Sequence, residues 1–319
     1  MNIFITGGTG FFGKALLRFW EKNSPNFDNI FILSRDPQKF KDKYSHLIHL
    51  NNISLVSGDI MDPDSFEVDS DIDIVLHAAT DSTLGPMMSR LEVFNQILKG
   101  TENVLEFCVK KSIKKLVYTS TGGVYGAQLE SKKIIEDINS CPDPIDPKSS
   151  HNIAKKACEN LIAIYSEMYK FDYTIARCFS FIGEDLPLEN HFAIGNFLSA
   201  VLNNKDIIIR GDGTPFRSYM HQNDLAYVLN KFLTSKTNHK VFNVGSDEAI
   251  SIKDLAHLIK KIGTYTGDIK ILFENDHNVK NYYVPNTDRL KAFIGDYQLM
   301  NLERSINISL RNIQNKDSV

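Results

Sequence analysis

The chain has 319 residues, 42% of them hydrophobic and 24% charged, with a formal net charge of −3. This is the make-up of a globular protein with length for one large domain or two modest ones. It offers no basic field for nucleic acid and no run of about 18 apolar residues for a membrane span.

The opening MNIFITGGTGFFG lacks the cationic start, long apolar stretch and cleavage site of a signal peptide. Cys108, Cys141, Cys158 and Cys178 show no CxxC spacing and read as free, mostly buried thiols of a cytoplasmic protein. No metal site is expected.

In chain order, the first half alternates short β-rich runs with helical patterns. Strands are expected at Asn2–Thr6, Ile30–Ser34, Ile53–Ser57, Ile74–His77 and Lys115–Thr119. Several are apolar on both faces, as parallel strands covered by helices on each side must be. Helices are expected near Gly13–Lys22, Arg90–Lys110 and Ile153–Tyr169. This order predicts right-handed crossovers and a doubly wound sheet. Residues Glu130–Lys148 carry prolines and charges and read as an exposed loop. The second half is less regular. A strand near Tyr173–Arg177 extends the sheet. A helix at Ala193–Asn203, a strand at Ile207–Ile209, a turn at Gly211–Gly213 and a helix from Asn223 follow. Then come a strand at Val241–Val244, a helix at Ile252–Ile262 and, from Asp268, a short strand and a helix.

Gly7, Gly8, Gly10 and Gly13 directly follow the first strand and open a helix. Such a turn lets the backbone approach a pyrophosphate while the helix N-terminus offers N–H donors and a positive dipole end. With Phe11 and Phe12 between the glycines, the segment reads as a dinucleotide site on a Rossmann-type sheet. The second strand ends in Ser34-Arg35-Asp36. A hydroxyl and a guanidinium there suit a 2′-phosphate and point to NADP; NAD stays open if Asp36 takes the ribose. Asp59-Ile60 is placed to meet the adenine, and the small residues Ala78, Ala79 and Thr80 let the cofactor pass close to the backbone.

With these residues assembled, the chain resembles the extended short-chain dehydrogenase/reductases, the branch of NAD-dependent nucleotide-sugar epimerases and 4,6-dehydratases. The likeness runs through GGTGFFG, Asp59-Ile60, His77-Ala78-Ala79, Asn95, Thr119–Gly126, Arg177, Gly211-Asp212-Gly213, Arg217, Asn243-Val244-Gly245 and Tyr283–Asn286. It implies a Rossmann-type α/β domain over 1–178, with 223–246 returning to it. A smaller, partly discontinuous, mixed α/β substrate domain would take the rest of 179–319. Asn95 joins the cofactor-binding set. Thr121 would polarise the reacting oxygen, and Lys155 would hold the nicotinamide ribose.

The position of the family's catalytic tyrosine, four residues before Lys155, holds His151 instead. A histidine can act as acid or base near neutrality, and a Lys155 cation beside it would favour the neutral form. The acidic pair that dehydratases carry after the hydroxyl residue is absent, because Gly122-Gly123 follows Thr121. Arg217 is the expected ligand of a nucleotide-sugar diphosphate, and Ser180, Asn196 and Arg289 complete the expected substrate set.

The leading expectation is a nucleotide-diphosphate-sugar 4-epimerase or 4-keto reductase, a homodimer through its two long helices. The alternatives are a catalytically silent dinucleotide-binding scaffold and a dehydratase whose acid/base groups, such as Glu130, Glu136 or Asp137, have moved.

Overall fold

The computed structural model describes residues 1–80, 88–128, 130–188, 192–273 and 281–316. In chain order the elements are β1 (Asn2–Thr6), α1 (Phe11–Asn23), β2 (Asn29–Ser34), α2 (Pro37–Tyr44), β3 (Ile53–Ser57), β4 (Ile74–His77), α3 (Arg90–Lys110), β5 (Lys115–Thr121), α4 (Ser150–Tyr169) and β6 (Asp172–Cys178). They continue with β7 (Phe181–Ile182), α5 (Ala193–Leu202), β8 (Ile207–Ile209), β9 (Phe216–Arg217), β10 (Met220–His221), α6 (Gln222–Thr234) and β11 (Val241–Val244). The last are β12 (Ile250–Ser251), α7 (Ile252–Ile262), β13 (Ile269–Ile271), β14 (Tyr282–Tyr283), α8 (Asp288–Ile294) and α9 (Leu302–Lys316). None of the described helices is long and apolar enough to cross a membrane.

The residues divide into two compact units. The first comprises Met1–Gly126, Asn139–Cys178 and Ala226–Phe242; the second comprises Ala127–Ile138, Phe179–Leu225 and Asn243–Val319. The first is built on a seven-stranded sheet of order β3-β2-β1-β4-β5-β6-β11. From β3 to β6 every pairing is parallel. The strand order reverses beside β1, which lies between β2 and β4, so the carboxyl end of β1 faces the crevice where α/β sheets bind ligands. All four residues of β4 and the first six of β5 are buried. That explains their apolar character on both faces: helices cover both sides of the sheet.

Helices α3 and α4 pack with the sheet into a core containing Phe4, Val75, Val104, Leu105, Leu116, Tyr118, Ala154, Cys158 and Ile162. Helix α3 starts at a reciprocal capping box of Ser89 and Glu92. Lys115 is buried, and its Nζ donates to the carbonyls of Phe232 and Ser235 at the end of α6. There a cation satisfies orphan helix carbonyls and complements the dipole.

The second unit holds three small sheets, β10-β7, β12-β9-β14 and β13-β8. Its core joins Phe197 and Leu198 of α5, Ile207 and Ile209 of β8, Leu255 and Ile259 of α7, and Ile306 and Leu310 of α9.

Two expectations need correction. The loop Glu130–Lys148 is not exposed throughout. Ile134 and Glu136 are buried, Ile134 exchanges backbone bonds with Val284 and Asn286, and Glu136 accepts from the Asn243 backbone. Its prolines and charges hide two anchors whose partners lie over a hundred residues away. Helix α4 begins at Ser150, not Ile153, which puts His151 in the first turn.

Candidate active site

Most predicted residues of the first unit stand at or just beyond the carboxyl ends of β1 to β5, and Asn95, His151 and Lys155 stand on α3 and α4. Gly7 leaves β1 with φ of +75°, and a Cβ there would come within 2.5 Å of the Ala78 carbonyl and 2.6 Å of the Ala79 nitrogen. Only glycine combines that backbone angle with that approach. The Gly10 nitrogen donates to the Gly7 carbonyl at 3.0 Å, closing the turn. Gly10 then precedes α1 with no side-chain cap, so the positive helix end is presented outward. Phe11 and Phe12 open the helix, and Gly13 packs on the backbone of Gly8. An uncapped helix end after a cradle that a Cβ would fill fits a dinucleotide pyrophosphate.

Beneath this turn, Thr6 and His77 hold each other: Thr6 Oγ1 lies 2.7 Å from His77 Nδ1, and His77 Nε2 lies 3.1 Å from Thr101 Oγ1. Thr6 Oγ1 also accepts from the Ala79 nitrogen at 3.3 Å. Burial, with a smaller push from Lys155, lowers His77 to about 3, so the ring is a neutral structural link.

Ser34 is buried and its hydroxyl accepts from the Asp36 nitrogen, while Arg35 is exposed at the strand end. Asp36 Oδ1 accepts from the Lys39 nitrogen at 2.9 Å, capping α2 ahead of Pro37. Asp59 Oδ1 accepts from the Met61 nitrogen, and Ile60 packs over Gly100 with its carbonyl held by Asn103. Thr80 Oγ1 donates to the Ala79 carbonyl, and Asn95 is exposed on α3.

Lys155 lies one helical turn beyond His151 and is 4% exposed. Its Nζ donates to the Thr119 carbonyl at 2.8 Å and sits 4.6 Å from the centre of the Tyr118 ring. Among the described residues no carboxylate lies within ion-pair reach of it. Burial pushes the ammonium down to about 8, against weaker opposition from Cys158, Cys178 and Glu159.

Glu159, one turn further, is engaged elsewhere. It accepts from Ser120 Oγ at 2.6 Å and from Arg177 Nη2 at 2.7 Å. Burial alone would lower the guanidinium pKa, but the bonds and charge of Glu159 outweigh it and raise Arg177 above its ordinary value. Arg177 also lies 4.7 Å from the centre of the Tyr125 ring.

His151 is half-buried, with Nδ1 3.2 Å from Asn152 Oδ1. Burial first, and the Lys155 cation second, lower it to about 4, while the Asn152 contact works the other way. The ring is therefore neutral at physiological pH. Thr121 ends β5, and its Oγ1 accepts from the Gly123 nitrogen at 3.1 Å. Three described tyrosines of the first unit are engaged elsewhere. Tyr125 packs against Arg177, Tyr165 bonds Glu106, and Tyr118 is in the core with its phenol pushed well above 10 by burial. Thr121 ends β5, and His151 and Lys155 stand one helical turn apart on α4. The Ser120–Glu159–Arg177 network and the Tyr118 platform are additions that spacing alone does not reveal.

In the second unit, Arg217 is half-buried on β9. Its Nη1 donates to Asn281 Oδ1 at 3.1 Å and to the Phe216 carbonyl at 2.7 Å, and its guanidinium lies 5.7 Å from the centre of the Tyr283 ring. Burial lowers its pKa, and among the described residues no carboxylate pairs with it. This is a guanidinium held by neutral groups, the state in which an anion is welcome. Ser180 is half-buried with its carbonyl on Met220, and Asn196 stands in the first turn of α5. Arg289 is bound to Asp137 at 2.6 Å and lies 3.9 Å from Glu136. Glu130 pairs with Lys132 at 2.7 Å. Among the described residues, no group of three or more His, Cys, Asp or Glu could hold a metal ion.

Comparison with known proteins gives this geometry a context. The profile of the NAD dependent epimerase/dehydratase family matches residues 3–245. A dTDP-D-glucose 4,6-dehydratase of Dictyostelium discoideum is 29% identical over 280 residues, 82% of this chain but only 62% of that protein. A UDP-glucose 4-epimerase assignment in Methanocaldococcus jannaschii is 27% identical over 261 residues, 81% of each chain. The UDP-glucuronic acid 4-epimerase of Bacillus cereus, solved with UDP-glucuronic acid and NAD, superposes with a TM-score of 0.82 at 22% identity, over 99% of this chain and 100% of that one. The chain belongs to the NAD dependent epimerase/dehydratase family.

Proposed function

We propose that this chain is an NAD(P)-dependent enzyme that epimerises or reduces a nucleotide-diphosphate sugar at C4, in the cytoplasm. The first unit would hold the dinucleotide along Gly7, Gly10, Phe11, Phe12, Gly13, Asp59, Ile60, Ala78, Ala79 and Asn95, and the second would hold the nucleotide sugar. The bound nicotinamide supplies the hydride acceptor or donor. His151 relays the proton of the sugar hydroxyl, Thr121 polarises that oxygen, and Lys155 holds the nicotinamide ribose. Arg217 clamps the diphosphate, with Thr80, Ser180, Asn196 and Arg289 toward the substrate.

The observation that carries the reaction class is the acid/base inventory around Thr121. Elimination of water needs a second acid/base pair, and Gly122 and Gly123 occupy that stretch. Glu136 and Asp137, the displaced candidates, are engaged by the Asn243 backbone and by Arg289. Hydride exchange at C4 needs one proton relay only.

NADP is the preferred cofactor in this reading, because the Asp36 carboxylate is occupied in capping α2 while Ser34 and Arg35 stand at the strand end. A homodimer through α3 and α4 is supported by Leu91, Ile164 and Met168, which are 68%, 44% and 62% exposed along those helices.

A second reading, a dinucleotide-binding scaffold without turnover, draws on His151 itself, since a base lowered to about 4 is weak. The deciding experiment offers NADP or NAD with a panel of nucleotide sugars and 4-keto sugars to wild type, His151→Ala and His151→Tyr, following nicotinamide absorbance and product masses. Turnover by wild type and a loss of about 10²-fold or more in His151→Ala support the enzyme. No turnover by wild type with activity gained in His151→Tyr supports the scaffold.

A further inference from the structure

The residue beside His151 sits in a space that an unusual neighbour leaves for it. Successive side chains on a helix diverge by about 100°, so adjacent residues rarely touch. Yet His151 Nδ1 and Asn152 Oδ1 are 3.2 Å apart in the first turn of α4. The Asn152 carboxamide occupies the volume in which a side chain at position 123 would stand. A Cβ built on Gly123 would overlap Asn152 Oδ1 and come within 2.8 Å of Asn152 Nδ2. Gly123 is itself fixed, because its nitrogen donates to Thr121 Oγ1 at 3.1 Å. Thr121, Gly123, Asn152 and His151 therefore form one continuous run of contacts from the end of β5 to the start of α4.

A carboxamide oxygen only accepts, so a bond between these two atoms requires the hydrogen to be on Nδ1. We propose that Asn152 is the positioning residue of His151, accepting the Nδ1–H and holding the ring in the tautomer whose Nε2 carries the lone pair. The catalytic consequence rests on the proton-relay role proposed above for His151. When a sugar hydroxyl is oxidised, its O–H bond breaks and a bond from Nε2 to that proton forms. The oxygen's electron pair becomes the carbonyl π bond as hydride leaves the carbon for the nicotinamide. Throughout, Nδ1–H stays on Asn152, which also stabilises the imidazolium. This agrees with the direction in which the Asn152 contact moves the His151 pKa, against burial and the Lys155 cation. Gly123 has the complementary part: the residue that removes a carboxylate from the site is the residue that admits the carboxamide.

The test is nitrogen NMR of ¹⁵N-histidine-labelled full-length protein, with the His151 signals identified by their disappearance in His151→Ala. Wild type should show a protonated Nδ1 and an unprotonated Nε2. Asn152→Ala should lose that preference and lower kcat about tenfold with little change in KM. Asn152→Asp, of the same shape, should keep Nδ1–H and raise the His151 titration by about 1–3 pH units. Gly123→Ala, which evicts the carboxamide, should reproduce the tautomer loss. A wild-type ring protonated on Nε2 overturns the proposal, as does an Asn152→Ala ring with an unchanged tautomer. If the tautomer behaves as expected but His151→Ala turns over normally, the positioning stands and the proton-relay reading fails.

Discussion

Lys155 places an ammonium in the core with a carbonyl and an aromatic face as its neighbours, and replacing it with methionine should change stability in opposite directions at two pH values. Its pKa falls from the ordinary 10.5 to about 8 in the folded protein. At about 1.36 kcal/mol per pH unit, keeping the charge folded at pH 7 costs about 3 kcal/mol. The sign follows from proton counting. Between pH 8 and 10.5 the unfolded chain binds more protons at this site than the folded one, so wild type gains stability as pH rises through that window. Lys155→Met removes the penalty and loses the Thr119 hydrogen bond, worth about 1 kcal/mol; the Tyr118 contact of the charged form is already contained in the shifted pKa. The variant should therefore be about 2 kcal/mol more stable than wild type near pH 7, a Tm rise of about 4–8 °C. Near pH 10.5 it should be about 1 kcal/mol less stable, while turnover is lost at both. Urea unfolding of both proteins at the two pH values measures the swing. An equal difference at both values would falsify the claim that this amine is desolvated.

Other expectations rest on the same geometry. The kcat/KM profile should be flat through pH 6.5, with an acid limb near 4 as His151 protonates and an alkaline limb near 8 as Lys155 loses its charge; an acid limb near 6.5 would show a water-exposed imidazole. Gly7→Ala should raise the dissociation constant of the dinucleotide at least tenfold by calorimetry, because the residue must hold φ of +75° with its Cβ against the Ala78 carbonyl; unchanged affinity would place the cofactor elsewhere. Arg35→Ala should weaken NADP about tenfold or more and leave NAD nearly unchanged, and equal effects on both would remove the 2′-phosphate reading. Glu159→Gln should destabilise by about 3 kcal/mol in urea melts, since it leaves the largely covered Arg177 without its carboxylate.

The glycine turn, five parallel strands and the long helices were legible because each is written in a contiguous stretch. Gly7 to Gly13 follow a strand and open a helix, and β4 is apolar at every position but its last. Lys155 was legible for the same reason, through a four-residue spacing. What escaped depends on residues distant in the chain. Asn152 gains meaning only from Gly123, 29 positions earlier, and the two glycines after Thr121 read from sequence as a loss of carboxylates and not as room for a carboxamide. Ile134 and Glu136 looked solvent-exposed because their anchors, Val284 and Asn243, are remote. Helix α2 is a different kind of miss: Asp36-Pro37 is a cap followed by a first-turn proline, a signal present in the sequence but spent on the ribose.

The division of the chain carries one more consequence. Following the sequence, the backbone passes from one unit to the other after Gly126, Ile138, Cys178, Leu225 and Phe242. Neither unit is a contiguous stretch of gene, so no single truncation yields either intact. A chimera that borrows a relative's second unit must exchange three separate segments together, including the short Ala127–Ile138 piece that holds the buried Ile134 and Glu136. In such an architecture, change arises more readily by point substitution than by recombination of whole modules.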